Sequence, residues 1–428
     1  MAAAPAGRSA KSRAPKQPDI LARSWVWERF AIVTAESKLV EVVLFGATGF
    51  TGRRVAEYLA THAPDLQWAI AGRSRERLMA IRSELARKVP ALESLRVIVA
   101  DSANAASIEV VAASARVVCS AVGPFAAQGL RLAGACAARG TTYCDLAGEA
   151  PFVRTSIERH DALARQTGAR LVHCCGFDSV PSDLGTWLVR QHLKTRGHRL
   201  ASAWGFVGPM RAGFSGGTVA TLAMLFEAGG AATDGVDREH VHFDREMGEW
   251  AGPFIMAPVN VCIVQRSNEL EEYGTRFTYR EKICYGRGPL GLLEAVGRTV
   301  ALKAFSATSR SRVGRAMLRW VSPMPGEGPP QAEIDAGGFR IRVIGTSEPP
   351  EGERAIQAMA TVAGSSDPGY GESVRMIGES IVCLARDPLP PTCGVLTPTA
   401  AMGARLAERL HQAGMTVSVA DWTPASAT

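Results

Sequence analysis

The stretch VVLFGATGFTG, Val42 to Gly52, limits what this chain can fold into more than any other segment. A short apolar run, Val40 to Phe45, reads as a buried strand and ends directly in glycine. Arg53 to His62 follows with Val55 and Leu59 at helical spacing. Between them Gly46, Gly49 and Gly52 form a G-x-x-G-x-x-G turn joining strand to helix. In that context each glycine has a task. Gly46 permits the tight turn, Gly49 lets backbone approach a pyrophosphate, and Gly52 lets helix and strand pack closely. The helix N-terminus then presents free N–H groups and a partial positive charge to phosphates. Gly46, Thr48, Gly49, Phe50, Thr51 and Gly52 are therefore the expected dinucleotide loop, with a simple tight turn as the bland alternative.

The pattern repeats downstream. Gln67 to Ala71, Leu95 to Ala100, Val117 to Val122, Thr141 to Asp145 and Arg170 to Cys175 read as strands. Ser74 to Val89, Gln128 to Arg139 and Pro151 to Gln166 read as helices, the last two stopped by Gly140 and Gly168. Strict alternation over about 135 residues predicts an α/β, Rossmann-type doubly wound parallel sheet. Beyond Asp183 the rhythm breaks. Leu200 to Val207, Thr275 to Tyr285, Gly338 to Gly345 and Ala355 to Val362 read as longer strands of a sheet with one wet face. Gly371 to Leu384 and Thr399 to Ala413 read as helices, and Thr416 to Ala420 as a last strand.

Cofactor choice is read at the end of the second strand, where an NAD site carries an acid for the ribose hydroxyl. This chain has Ala71-Gly72-Arg73-Ser74-Arg75 there. Arg73 can meet a 2′-phosphate in fork geometry and Ser74 can donate beside it, so NADP(H) is the expected cofactor. Asp101, at the end of the third strand, has two equal readings: a contact to the adenine edge, or a solvated acid. After the fourth strand, Val122, Gly123 and Pro124 are expected to let the ribose–nicotinamide half lie against backbone. Phe125 is either a wall of that site or core.

The chemical end belongs at the carboxyl ends of the later strands. Two stretches qualify, Tyr143 to Glu149 (YCDLAGE) and Cys175 to Asp183 (CGFDSVPSD). Ser182 and Asp183 fit a helix cap as well as a substrate contact. Asp178 and Ser179 lie outside the cap position and, with Tyr143, are the catalytic candidates.

Composition removes other classes. The 428 residues are 46% hydrophobic and 21% charged, enough for a full core. No run approaches the roughly 18 apolar residues of a spanning helix. Net charge is +7, but 41 of the 48 basic residues are Arg, scattered over many predicted faces, which is a solvated surface and no nucleic-acid platform. Nine cysteines without a CxxC pair argue for a reducing compartment and against a zinc or disulfide framework. His240 and His242 lack accompanying ligands and read as exposed, so no metal is expected. Residues 1–37 form a flexible, Pro-, Ala- and Arg-rich extension without a signal core, a tail in preference to a transit peptide; Trp25, Trp27 and Phe30 make it more apolar near its end. Residues 38–183 are expected to form the NADP-binding Rossmann domain. An α+β substrate or dimerisation domain follows over 184–365, and 366–428 form a segment packing back on the first domain. The expected location is cytoplasmic, with at most a peripheral membrane contact.

The glycine loop, AGRSRERL, SAVGPF, YCDLAGE and CGFDSVPSDLG resemble the saccharopine dehydrogenase-like oxidoreductases. PGEGPP (Pro325 to Pro330), SDPGYGESVRMIGES (Ser366 to Ser380) and GVLTPTAAMG (Gly394 to Gly403) are similar to the bacterial branch of trans-acting enoyl reductases. The resemblance spans about Val40 to Val419 and leaves the extension outside. It implies an NADP-type Rossmann domain with an inserted α+β domain. It further implies hydride transfer to a conjugated acyl double bond, the acyl chain being carried by a polyketide synthase without its own working reductase. The proton donor is open between Tyr143, Asp178 and water, and a homodimer is an open reading. The alternatives are a saccharopine- or imine-type dehydrogenase and a non-catalytic NADP-binding, lipid-associated protein. Saccharopine-type substrates need Arg or Lys in the second domain, and the sequence alone places no such set.

Overall fold

A computed structural model describes residues 40–210, 240–311, 314 and 328–423. The extension, the Ala212–Phe226 stretch and the first half of the PGEGPP segment lie outside the described residues.

Seven strands form a fully parallel sheet in the order β13-β6-β5-β4-β1-β2-β3. They are β1 (Val40–Phe45), β2 (Trp68–Gly72), β3 (Arg96–Val99), β4 (Ala115–Ser120), β5 (Thr142–Asp145), β6 (Arg170–Val172) and β13 (Gly394–Leu396). Helices α1 (Phe50–His62), α2 (Arg75–Lys88), α3 (Ala105–Ala113), α4 (Phe125–Arg139) and α5 (Ala150–Thr167) make the crossovers. Their ends follow from local chemistry. Ser74 and Asn104 accept the backbone N–H of Arg77 and Ser107 as N-caps, and Gly140 and Gly168 close α4 and α5 in the left-handed conformation. The sheet is buried on both sides: Val42, Val43, Leu44, Ile70, Val118 and Leu171 have no exposed surface.

The expected sixth strand is shorter than read. It stops at Val172 because Asp145 takes the Cys174 backbone N–H at 3.0 Å and its own carbonyl takes that of Cys175 at 2.8 Å. Cys174 turns to φ 62°, and the chain leaves the sheet there.

The second sheet is mixed, in the order β14-β12-β11-β7-β10-β9-β8. Its strands are β7 (Arg199–Val207), β8 (His242–Asp244), β9 (Glu249–Pro253), β10 (Thr278–Cys284), β11 (Phe339–Glu348), β12 (Gln357–Gly364) and β14 (Thr416–Asp421). Only β7 and β10 pair in parallel. The last strand thus joins β12 of the second sheet, while β13 of the same C-terminal segment completes the first. Helix α6 (Val180–Lys194) packs on β11 and β12, and the expected boundary after Asp183 falls inside it. A Cβ on Gly185 would stand 2.6 Å from Val343 Cγ2, so only glycine allows this approach of helix to sheet. Leu39–Thr428 form one compact unit, with a continuous core running from Leu44 through Leu184 to Val343 and Val362.

The face of the second sheet opposite α6 is less wet than read. Phe206 and Ile344 are buried there with Met247, and Lys282 lies 4.1 Å over the Trp204 ring. Four later helices complete the described chain: α7 (Ala257–Glu271), α8 (Gly288–Arg310), α10 (Ser373–Arg386) and α11 (Pro398–Gln412), with the one-turn α9 (Gln331–Asp335) between. On α8, Leu290, Leu293, Val296 and Val300 are exposed. Among the described residues no helix is long and apolar enough to cross a membrane, and no cluster could hold a metal ion. All nine cysteines are free.

Candidate active site

The glycine loop closes at the carboxyl end of β1. Gly46 has φ 97°, and its N–H donates to the Ala71 carbonyl at 2.8 Å. A Cβ on Gly46 would stand 2.7 Å from Val122 Cγ2, and one on Gly52 would collide with the Gly46 carbonyl. Gly49 differs. Its φ of −79° suits any residue, and a Cβ there would meet nothing nearer than the Gly46 carbonyl oxygen at 3.4 Å. The space before Gly49 is open, as a pyrophosphate requires. Helix α1 has no side-chain cap and no acid in its first turn, so the N–H groups of Phe50, Thr51 and Gly52 are left for a ligand. Thr48 lines the loop, its Oγ1 3.6 Å from where a Gly72 Cβ would be.

At the end of β2, Arg73 is exposed, and among the described residues no carboxylate pairs with it. Ser74 accepts the Arg77 N–H at 3.3 Å as the cap of α2, and its own hydroxyl proton stays available. Asp101 accepts the Ala103 N–H at 2.9 Å, an Asx-type turn. Val122, Gly123 and Pro124 run past the end of β4 into α4, all at least partly exposed, and Phe125 is buried against Phe152. Open space at Gly49, free N–H groups and an unpaired Arg73 fit an NADP-type dinucleotide.

Segments far away in sequence meet this loop. The Phe50 ring packs edge-on against Tyr370 of the DPGYG motif, centroids 5.2 Å apart, and Gly328 abuts Phe50 closely. Asp367 caps the turn that carries Tyr370 by accepting the Tyr370 N–H at 2.8 Å.

The three catalytic candidates part company. Tyr143 is fully buried in an Ala-rich core with Leu132, Ala137 and Ala164, and its hydroxyl has no hydrogen-bond partner. Burial and then Asp145 push its pKa far above the usual tyrosine range. A group so placed cannot deliver a proton to substrate, which corrects the expectation. Ser179 is also fully buried and donates to Asn260 Oδ1 at 2.9 Å. It begins a network in which Asn260 donates to Glu281 at 2.7 Å while Ser182 and Tyr279 donate to the same carboxylate at 2.5 and 3.0 Å. Asp183 accepts from Ser267 at 2.5 Å and from the Thr399 N–H and hydroxyl at 2.9 and 2.8 Å. Ser179, Ser182 and Asp183 therefore tie α6 to α7, β10 and α11.

Asp178 alone of the three is half-buried rather than fully buried. It follows β6, beside the end of β5, and Oδ2 lies 3.0 Å from where a Gly148 Cβ would stand, a spot also 3.2 Å from Met256 Cε. No described hydrogen bond satisfies it. Burial, then the charge of Glu149, raise its pKa to about 7. Glu149, not singled out in the sequence, accepts the Phe125 and Ala126 N–H groups at 2.8 and 2.7 Å and thereby caps α4 beside the Gly123–Pro124 loop. Its signal was a carboxylate two residues before the Pro at the start of a helix. Below Asp178, Asp145, His173 and Ser156 form a wholly buried chain, 2.7 Å from Asp145 to His173 Nδ1 and 2.8 Å from His173 Nε2 to Ser156. With no exposed atom, this set holds β5, β6 and α5 together.

Residues 42–172 match the saccharopine dehydrogenase NADP binding domain. A trans-acting enoyl reductase of Mycobacterium ulcerans (strain Agy99) is 34% identical over 414 residues, covering 88% of this chain and 97% of the relative. A Mycobacterium tuberculosis (strain ATCC 25618 / H37Rv) protein provisionally given the same name is 36% identical over 420 residues, 90% of this chain and 98% of the relative. Apo saccharopine dehydrogenase (L-Glu forming) from Saccharomyces cerevisiae shares the fold at a TM-score of 0.56, with 13% identity, over 90% of this chain and 100% of that one. Over nearly its whole described length, the chain belongs to the trans-acting enoyl reductase family of saccharopine dehydrogenase-like oxidoreductases.

Proposed function

We propose that this protein is an NADPH-dependent enoyl reductase acting in trans on an acyl chain carried by a polyketide synthase, with Asp178 as the proton donor. The observation that carries the reading is the half-buried Asp178 carboxyl, which no described hydrogen bond satisfies and which burial pushes up to about 7, at the carboxyl end of the same parallel sheet that carries the dinucleotide loop. When bound, NADPH supplies the hydride that reduces the β-carbon of the conjugated double bond. The chain's residues do the rest. Gly49 and the first turn of α1 take the pyrophosphate, and Arg73 with Ser74 takes the 2′-phosphate. Glu149 fixes the start of α4, so the Val122–Pro124 backbone is a rigid floor for the nicotinamide half. Asp178 holds a proton at neutral pH and gives it to the α-carbon as charge collapses from the thioester oxygen. A carboxylic acid with a pKa near the working pH is well matched to that transfer.

The test is NADPH oxidation with an enoyl thioester of pantetheine. One NADPH consumed per saturated thioester formed supports the reading. No oxidation of NADPH with any enoyl thioester, alongside oxidation in the presence of an amino acid and a keto acid, would move the protein to the imine-reducing side of the family.

A further inference from the structure

The second sheet contains a cationic set that the sequence did not bring together. At its end where β7 and β10 finish and β11 begins lies a cavity of about 600 Å³. Arg287, Arg340 and Arg342 line it, with Glu249, Phe339 and Thr416. Arg340 and Arg342 alternate along β11 and so point from the same face. Arg342 donates to Glu249 at 3.2 Å, yet its Nε is buried with no hydrogen-bond partner. Arg287 and Arg340 are exposed, and no described carboxylate pairs with either. Three guanidinium groups against one carboxylate leave a net charge of +2 (3 − 1) around one cavity.

We propose that this cavity binds the phosphate of the arm on which the acyl substrate is carried. Charge matches: the phosphodiester that joins such an arm to its carrier bears one full negative charge over two free oxygens, and the free 4′-phosphate of the soluble arm carries about −1.5 to −2 at neutral pH. Geometry matches: planar guanidinium forks are suited to phosphate oxygens, and the orphaned Nε of Arg342 gains an acceptor. Size matches: the volume lies within the range of small-ligand pockets and holds a phosphate with part of its attached chain. Phe339 contributes to the wall of the cavity, while its ring, on the opposite face of β11 from Arg340 and Arg342, packs edge-on against Phe177 at 4.9 Å, the residue before Asp178. The inference rests on the proposed enoyl reductase reading for the identity of the arm, but the binding site stands on the arginines alone.

Isothermal titration of the full chain with 4′-phosphopantetheine, pantetheine, inorganic phosphate and glutarate tests it without turnover. Phosphopantetheine is expected to bind at least about tenfold tighter than pantetheine. Arg340→Ala and Arg287→Ala, both at exposed positions, should each remove most of that difference and leave NADPH affinity unchanged. Equal affinity for the two arms overturns the proposal. So does displacement of phosphopantetheine by NADPH, which would assign the arginines to the cofactor. Glutarate binding tighter than phosphopantetheine also overturns it and gives the cavity to a dicarboxylate substrate. Phosphate discrimination without enoyl reduction would uphold the site and strike only the reaction.

Discussion

Asp178→Asn separates chemistry from folding, because the two roles of the residue predict opposite changes in stability. Burial and Glu149 hold the Asp178 carboxyl at about 7 in the folded chain, against an ordinary 3.8. The folded state therefore binds this proton more tightly than the unfolded chain does. As pH rises above about 4, the unfolded chain ionises first and gains relative to the folded one; the loss is complete once pH exceeds about 7. At 1.36 kcal/mol per pH unit, the interval from 3.8 to about 7 has a ceiling of roughly 4 kcal/mol. Asp178 keeps some contact with solvent, which reduces this to ~1–2 kcal/mol. Asparagine has the same shape and no charge. The variant should come close to the parent at pH 4 and exceed it at pH 8 by ~1–2 kcal/mol, about 1–2 °C in Tm.

Activity should move the other way. The parent kcat should fall as pH rises through about 7, where the donor loses its proton. Asp178→Asn should lose about 10²-fold or more in kcat with NADPH affinity intact, the scale of general acid catalysis. Urea denaturation at pH 5 and pH 8 and steady-state rates across the same range read both effects. A variant less stable than the parent at pH 8, with normal turnover, would make Asp178 a turn residue and refute the reasoning.

Five further outcomes are expected. Gly49→Val should abolish NADPH binding, followed by nicotinamide fluorescence, with Tm unchanged, because the fold has room there and the pyrophosphate does not; Gly52→Ala should instead lower stability by about 1–3 kcal/mol through its clash with the Gly46 carbonyl. Arg73→Ala should weaken NADPH by roughly 1.5–3 kcal/mol and leave NADH unaffected, so equal losses for the two cofactors would remove Arg73 from the 2′-phosphate. Asp145→Ala should cost about 3–5 kcal/mol in urea melts, since His173 and the Cys174 N–H lose their buried partner. The pair Leu290→Glu and Leu293→Glu should leave Tm within a degree or so of the parent, as 81% and 70% of these side chains is already exposed.

The first sheet was legible because its signals are local. A strand, a glycine turn and a helix recur within 30 or so residues, and each stop has its own residue, such as Gly140 or Gly168. What escaped the sequence depends on distant partners. The three-residue β13 is a strand only because Arg170 to Val172 lies beside it, more than 200 positions earlier. Helix α8 escaped for another reason: its buried face is small, Gly291, Ala295 and Thr299, while Leu290, Leu293 and Val300 point outward. Its hydrophobic period therefore points away from the core. The arginine cavity was illegible because Arg287 lies just after β10, before α8, and Arg340 on β11, and only the pairing of both strands with β7 brings them together.

The motif CGFDSVPSDLG shows why residue type alone could not assign roles within the site. Its four acids and hydroxyls look alike in sequence, yet three face elements that arrive later. Ser179 meets Asn260, Ser182 meets Glu281, and Asp183 meets Ser267 and Thr399. Each is buried, so each needs its partner to avoid an unsatisfied polar group. Asp178 points toward Gly148 and finds no partner. These facts are connected. The three bonded residues fix the first turn of α6 against α7, β10 and α11, and that turn fixes Asp178 two residues before it. A carboxyl held there cannot swing out to full hydration, and this immobility sustains its raised pKa. Scaffold and proposed donor are thus one construction: loosening the Ser179–Asn260–Glu281 network should let Asp178 reach water and draw its pKa back toward the ordinary carboxylate range, without any change at Asp178 itself.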